Sequence, residues 1–196
     1  MRTLITEFIS LDGVVQAPGG PKEDTDGGFR HGGWSLQFFD PETMGGTFDE
    51  LAAQSDALLQ GRRTYQVSAG AWPNRSGDTF SDWINGVQKY VVSDTLTEAD
   101  IEWHPTTIVR GSEFVDKVSG LREQPGGYIY TYGSPTMVRS LLEADLVDEL
   151  LLSIEPIVLG GGKRLFTDNG EALKFELVSA KTAKTGVQVC RYQRAR

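Results

Sequence analysis

Apolar residues fall on both sides of the alternation along Arg2–Ser10: Leu4, Thr6 and Phe8 on one, Thr3, Ile5, Glu7 and Ile9 on the other. That pattern predicts a strand in a sheet covered on both faces. Further strands are predicted over 56–61, 87–93, 106–111, 127–133 and 147–160, from short apolar or β-branched runs. Between them, helical spacing predicts helices over 42–55, 62–70, 78–86, 112–123 and 134–145. The first has Phe48, Leu51 and Ala52 as core positions and a start weakened by Gly45–Gly46. The fourth groups Phe114, Val115, Val118 and Leu121 on one side. In the last, Ser134 reads as the N-cap, Pro135 as the first turn, and Met137, Val138, Leu141 and Leu142 as the apolar stripe. Segments 174–184 and 187–195 alternate around Thr185–Gly186 and read as a terminal β-hairpin.

Strands alternating with helices predict a single-domain α/β fold over residues 1–196. Its sheet is mixed but mostly parallel, flanked by helices, with a C-terminal antiparallel hairpin. The segment Gly13–Gly33 has many glycines, no period and few apolar anchors. It is expected to be a mobile lid.

Composition narrows the function. The net charge of −8, with no run of Lys and Arg, argues against a nucleic-acid partner. No stretch of 18 apolar residues exists to span a membrane, and Met1–Ser10 lacks the layout of a signal peptide. Cys190 is the only cysteine, so no intramolecular disulfide is expected; these features point to the cytoplasm. His31, His104 and Cys190 offer no metal-ligand spacing, and no metal is expected.

Three strand-to-helix junctions carry the candidate chemistry: Gly61-Arg62-Arg63-Thr64, Ser93-Asp94-Thr95 and Gly133-Ser134-Pro135-Thr136. In an open α/β sheet, ligands sit beyond the carboxyl ends of strands. Helix N-termini there present free N–H groups and a positive dipole end to phosphates, and arginine adds a planar donor fork. Each junction also reads as ordinary helix capping, and no G-x-G-x-x-G follows the first strand.

The pieces SLDG (10–13), DALLQGRRTY (56–65), KYVVSDTL (89–96), YTYGSPTMVRSLLEADLVDEL (130–150) and PIVLGGGKRLF (156–166) resemble, in this order, the dihydrofolate-reductase-like superfamily. The resemblance is closest to the C-terminal reductase domain of bifunctional riboflavin-biosynthesis deaminase/reductase proteins. It implies an NADPH-dependent oxidoreductase passing hydride to a small heterocyclic or carbonyl substrate, in the manner of 5-amino-6-(5-phosphoribosylamino)uracil reductase. It also implies a homodimer. Carried onto this chain, Gly61, Arg62, Arg63 and Thr64 match the motif holding the adenosine phosphates. Ser93 matches the position beside the 2′-phosphate, where Arg110 adds charge and Asp94 opposes it. Gly133, Ser134, Pro135, Thr136 and Met137 match the turn holding the pyrophosphate, although the family often has consecutive glycines where Ser134 and Pro135 stand.

The resemblance places Gly161, Gly162 and Lys163 beside the substrate cleft, where Lys163 and Arg164 meet a substrate phosphate; the same turn also reads as plain backbone geometry. Trp34, Phe38 and Phe39 wall a flat ligand or belong to the core. Asp12 either closes an Asx turn or orients substrate or water near the nicotinamide. No acid on the first helix clearly matches the one that faces a pteridine, since Glu42, Asp49 and Glu50 all suit solvated positions; this argues against folate. The final proton is expected to come from water. The alternative is a non-catalytic member of the fold that binds a nucleotide or other small molecule.

Overall fold

The computed structural model describes residues 1–166, 168, 170 and 172–196. Eight strands form one sheet: β1 (Arg2–Ser10), β2 (Ser55–Gly61), β3 (Gln88–Val92), β4 (Thr106–Val109), β5 (Tyr128–Tyr132), β6 (Glu149–Glu155), β7 (Phe175–Thr182) and β8 (Gln188–Arg194). Their order is β4-β3-β2-β5-β1-β6-β8-β7. β1 to β6 pair in parallel, while β8 runs antiparallel to both β6 and β7. The mixed, mostly parallel α/β sheet with its C-terminal hairpin is the architecture expected from the sequence.

Alternation along the strands feeds two cores. Ile5, Ile9, Ala57, Leu59 and Ile129 face α4 (Phe114–Arg122) and α5 (Pro135–Glu143). Leu4, Leu58, Tyr128 and Tyr130 face α1 (Gly46–Ala52), α2 (Arg62–Ala71) and α3 (Thr79–Gly86). α5 buries Met137, Val138, Leu141 and Leu142, as its spacing predicts. Each such side chain contributes about 1.5–3 kcal/mol. Leu51 and Ala52 are buried as expected of the first helix, and Phe48 is half-buried against Phe8.

Four expectations need correction. The first helix begins at Gly46 rather than 42, because Pro41–Gly45 winds as one wide π-turn capped by Asp40. β6 stops at Glu155 rather than 160, since Pro156 has no N–H for the ladder. Val115 is 42% exposed, so the buried stripe of α4 is Phe114, Val118 and Leu121. The segment 13–33 does have anchors. Val14, Val15 and Ala17 are buried, Val15 N donates to Lys163 O (2.9 Å), and Trp34 Nε1 donates to Gln16 O (2.8 Å).

The topology sets the site. β2 leads into α2 on one face, whereas β5, its neighbour, leads into α5 on the other. Neighbouring parallel strands whose connections leave on opposite faces open a crevice at their carboxyl ends.

Candidate active site

Gly61 and Ser134 meet in that crevice. Gly61 N donates to Ser134 Oγ (2.8 Å), and Ser134 Oγ donates to Thr64 Oγ1 (2.9 Å). The β2–α2 and β5–α5 junctions are thereby tied together, with both helix N-termini at one place. Gly133 has φ +61°, and a Cβ there would lie 3.0 Å from the Thr64 side chain. A side chain at Gly133 would push the two junctions apart. Ser134 is the N-cap residue of α5, as expected, but its side chain does not do the capping: at φ 58°, ψ 49° it makes no side-chain bond to the helix and turns to Gly61 and Thr64 instead. Pro135, Thr136 and Met137 form the first turn of α5, with Met137 buried.

The basic residues divide. Arg62 is exposed, and among the described residues its Nη1 reaches only Gln66 Oε1, at 3.3 Å. Arg63 instead pairs with Asp24 (2.7 Å) and Asp26 (2.5 Å). The expectation that Arg110 offers free charge beside Ser93 is corrected. Its guanidinium donates to Ser93 O (2.8 Å) and Leu96 O (2.9 Å), bracing the turn after β3. Ser93 Oγ is likewise occupied, accepting from Leu96 N (3.0 Å). Asp94 accepts from Gly111 N (2.8 Å).

A second region adjoins the glycine turn. A cavity of about 510 Å³ is lined by Gln16, residues 26–31 and residues 159–163. Gly161, Gly162 and Lys163 therefore do border an open cleft, together with Phe29 and the exposed His31, whose rings pack edge to face at 5.6 Å. Gly162 has φ +123°, and a Cβ there would fall 2.8 Å from Val14. Trp34 does not line this cavity. It is 5% exposed and packs behind it with Val14 and Leu159. Phe38 joins the core beneath α1, and Phe39 is 44% exposed. Lys163 is not free for a phosphate, because it pairs with Asp24 (2.6 Å) and Asp26 (2.8 Å).

Asp12 closes a turn. Its carboxylate accepts from Ser10 Oγ (2.7 Å), Leu159 N (3.1 Å) and Gly160 N (2.9 Å), tying the end of β1 to the glycine turn. Desolvation works to raise its pKa, but the bonds from Ser10, Leu159 and Gly160 hold it below the usual range. It is an acceptor already satisfied, rather than a proton donor.

Two acids that the sequence reading did not select lie near the carboxyl ends of β1 and β6. Glu7 is buried, its Oε1 has no partner among the described residues, and burial pushes its pKa to about 8. The Gly133 N–H opposes that rise and nearby Glu23 adds to it. Glu155 is fully buried, with Oε1 accepting from Ser35 Oγ (2.6 Å) and Oε2 unpartnered; burial pushes it to about 7. Both can hold a proton near neutrality. Glu7 was legible as a charge on the apolar side of β1. On α1, Glu50 is exposed and Asp49 half-buried, while Glu42 lies exposed in the preceding turn.

No helix among the described residues is long and apolar enough to cross a membrane. The sequence profile of the RibD C-terminal domain matches residues 3–189. The Bacillus subtilis (strain 168) protein YyaP is 30% identical over 190 residues, covering 95% of this chain and 91% of its own. Among solved structures, a protein from Shewanella sp. PV-4 assigned to riboflavin biosynthesis superposes with a TM-score of 0.76 at 23% identity, covering 100% of both chains. Dihydrofolate reductase from Enterococcus faecalis, solved with NADP(H), superposes with a TM-score of 0.61 at 13% identity, over 100% of this chain and 97% of that one.

Proposed function

The chain belongs to the RibD C-terminal domain family, and from that premise we propose that it is a reductase using NADPH to reduce a small heterocyclic or carbonyl substrate. The observation that carries the proposal is the tie between junctions. Gly61, Thr64 and Ser134 bring the N-termini of α2 and α5 to one point, where a diphosphate would meet two sets of free N–H groups. The close approach of Gly133 to Thr64 keeps that point open to backbone donors. The residues present therefore fit a dinucleotide cofactor.

On this reading Gly61, Thr64, Gly133, Ser134, Pro135, Thr136 and Met137 hold the diphosphate side. Arg62, the exposed arginine of the junction, reaches the 2′-phosphate near Ser93. The cofactor supplies hydride when bound. The chain supplies position and a proton. Glu7 lies beside Gly133 and holds its proton at neutral pH because burial disfavours its anion. On this reading it supplies the proton, in place of the water expected from sequence. The cleft beside Gly161, Gly162 and Lys163 takes the substrate, in a reaction like that of 5-amino-6-(5-phosphoribosylamino)uracil reductase.

The test is loss of reduced-nicotinamide absorbance with a panel of pyrimidine, pteridine and small carbonyl compounds. Turnover of at least one, slowed by Glu7→Gln, is the expected result. Tight NADPH binding with no turnover across a broad panel would favour a binding protein instead.

A further inference from the structure

Side chains from three segments converge at the edge of the cavity. Arg63, in the first turn of α2, places Nη1 2.7 Å from Asp24 Oδ1 and 2.5 Å from Asp26 Oδ2. Lys163, in the glycine turn, places Nζ 2.6 Å from Asp24 Oδ2 and 2.8 Å from Asp26 Oδ2. Lys163 and Asp26 line the cavity itself, and Arg63 reaches them from α2. The two carboxylates belong to the segment that runs between the two cations.

Arginine and lysine bind carboxylate and phosphoryl oxygens with the same donors and similar geometry. Arg63 also lies at the N-terminus of a ten-residue helix, whose dipole favours an anion. Asp26 lines the cavity itself, beside Lys163. The two carboxylates thus stand where an anionic group of a bound ligand would meet both cations. We propose that Asp24 and Asp26 are a built-in stand-in for a phosphoryl group. They fill a subsite formed by Arg63 and Lys163 in the free protein, and a phosphoryl-bearing ligand enters by displacing them.

Binding is an exchange because simple addition is unfavourable. A phosphoryl dianion placed against the intact network would meet two negative charges as well as two positive ones. Release is feasible because the network is partly in water. The Asp26, Arg63 and Lys163 side chains are 51%, 46% and 34% exposed, so the Asp26 pairs contribute little; Asp24, at 13%, is the more firmly held of the two carboxylates. Behind them, Gln16 Nε2 donates to Asp24 O (3.2 Å) and Asp26 O (3.1 Å), and Gln16 is itself buried. Gln16 stays as the pivot. Gly27 and Gly28 follow directly, at φ +64° and +73° with open space around them, so the strap can turn there. Displacing Asp26 also clears one wall of the 510 Å³ cavity.

The phosphoryl group has two sources, the cofactor diphosphate or a phosphate monoester on the substrate; the first rests on the reading proposed above. Two probes separate them: NADPH and ribose 5-phosphate. Each is titrated against wild type, D24N/D26N and the charge-matched control E123Q/E176Q, whose two glutamates are exposed elsewhere. The expected result is that D24N/D26N binds at least one probe about tenfold more tightly, a change of about 1.4 kcal/mol, while the control stays near wild type. In the wild type, that probe should speed amide exchange at 24–28 as the strap is released. Whichever probe tightens names the source. Equal affinity of wild type and D24N/D26N for both probes overturns the proposal, as does slower exchange at 24–28 on binding. If NADPH binds none of the proteins, the cofactor reading fails and ribose 5-phosphate alone decides on the subsite. If D24N/D26N does not fold, the exchange measurement on wild type decides.

Discussion

Ser134 carries two opposed contributions that substitution can separate. Its backbone lies in the left-handed region, at φ 58° and ψ 49°, which costs a residue with a Cβ about 1–2 kcal/mol. Its hydroxyl accepts from Gly61 N and donates to Thr64 Oγ1. Ser134→Ala keeps the backbone cost and leaves the Gly61 donor without its partner, a loss of about 1–3 kcal/mol. Ser134→Gly loses the same bonds but relieves the backbone. The glycine variant is therefore expected to be more stable than the alanine variant by about 1–2 kcal/mol, and close to wild type. Both variants should bind NADPH more weakly, because the two junctions lose their tie. Urea unfolding with a common m-value measures the first effect, and cofactor titration the second. Equal stability of the alanine and glycine variants would refute the backbone argument. Alanine as stable as wild type would refute the hydrogen-bond argument.

Glu7 and Glu155 are raised from 4.5 to about 8 and about 7. The folded state thus keeps protons that the unfolded chain has released. Stability should fall as pH rises from about 4.5 to about 8 and level off above that. Thermal unfolding at several pH values checks this, with Glu7→Gln expected to flatten the profile; a profile already flat in wild type contradicts it. Glu149 is buried and accepts from Arg2 (2.6 Å), Arg191 (2.7 Å) and the Tyr128 hydroxyl (3.0 Å). Glu149→Ala should cost about 3–5 kcal/mol, because Arg191 is left without its counter-charge; a loss under about 1 kcal/mol in urea unfolding would contradict that estimate. β7 is one of the two edge strands, with β4 at the other end of the sheet, and exposes Leu177 (58%) and Val178 (53%). We expect it to be covered by a second copy. Light scattering should then give twice 21.5 kDa, and a monomer at micromolar concentration would contradict the dimer.

Elements whose character depends on their own residues were legible in the sequence. The two-sided apolar alternation of β1 and the four-residue stripe of α5 both appear as read. What depended on distant partners was not. Ser134 before a proline reads as the N-cap, but only Gly61 and Thr64 across the crevice make its side chain a tie. Arg110 and Lys163 read as free cations because their partners, Leu96 and Asp24 among them, are chosen by the fold. The 13–33 segment read as unanchored because its few apolar residues are scattered among glycines. Yet Val14 and Val15 find cover from the turn at 159–165, which the sequence places far away. The start of α1 depends on backbone bonding that apolar spacing does not report: Pro41–Gly45 closes a wide turn, with Gly45 N donating to Asp40 O (3.3 Å).

Fluorescence titration of NADPH and NADH into wild type and Arg62→Ala tests the central claim most directly. Arg62 follows Gly61 at the junction, is exposed, and makes one long bond to Gln66. Its fork should read the 2′-phosphate, the group that separates the two cofactors. The account expects saturable binding with NADPH tighter than NADH. It also expects a loss of roughly 1.5–3 kcal/mol for NADPH alone on Arg62→Ala, and a preference that shrinks at high salt. No binding of either nucleotide to wild type would contradict the reductase reading, and an equal loss for both would remove Arg62 from the 2′-phosphate.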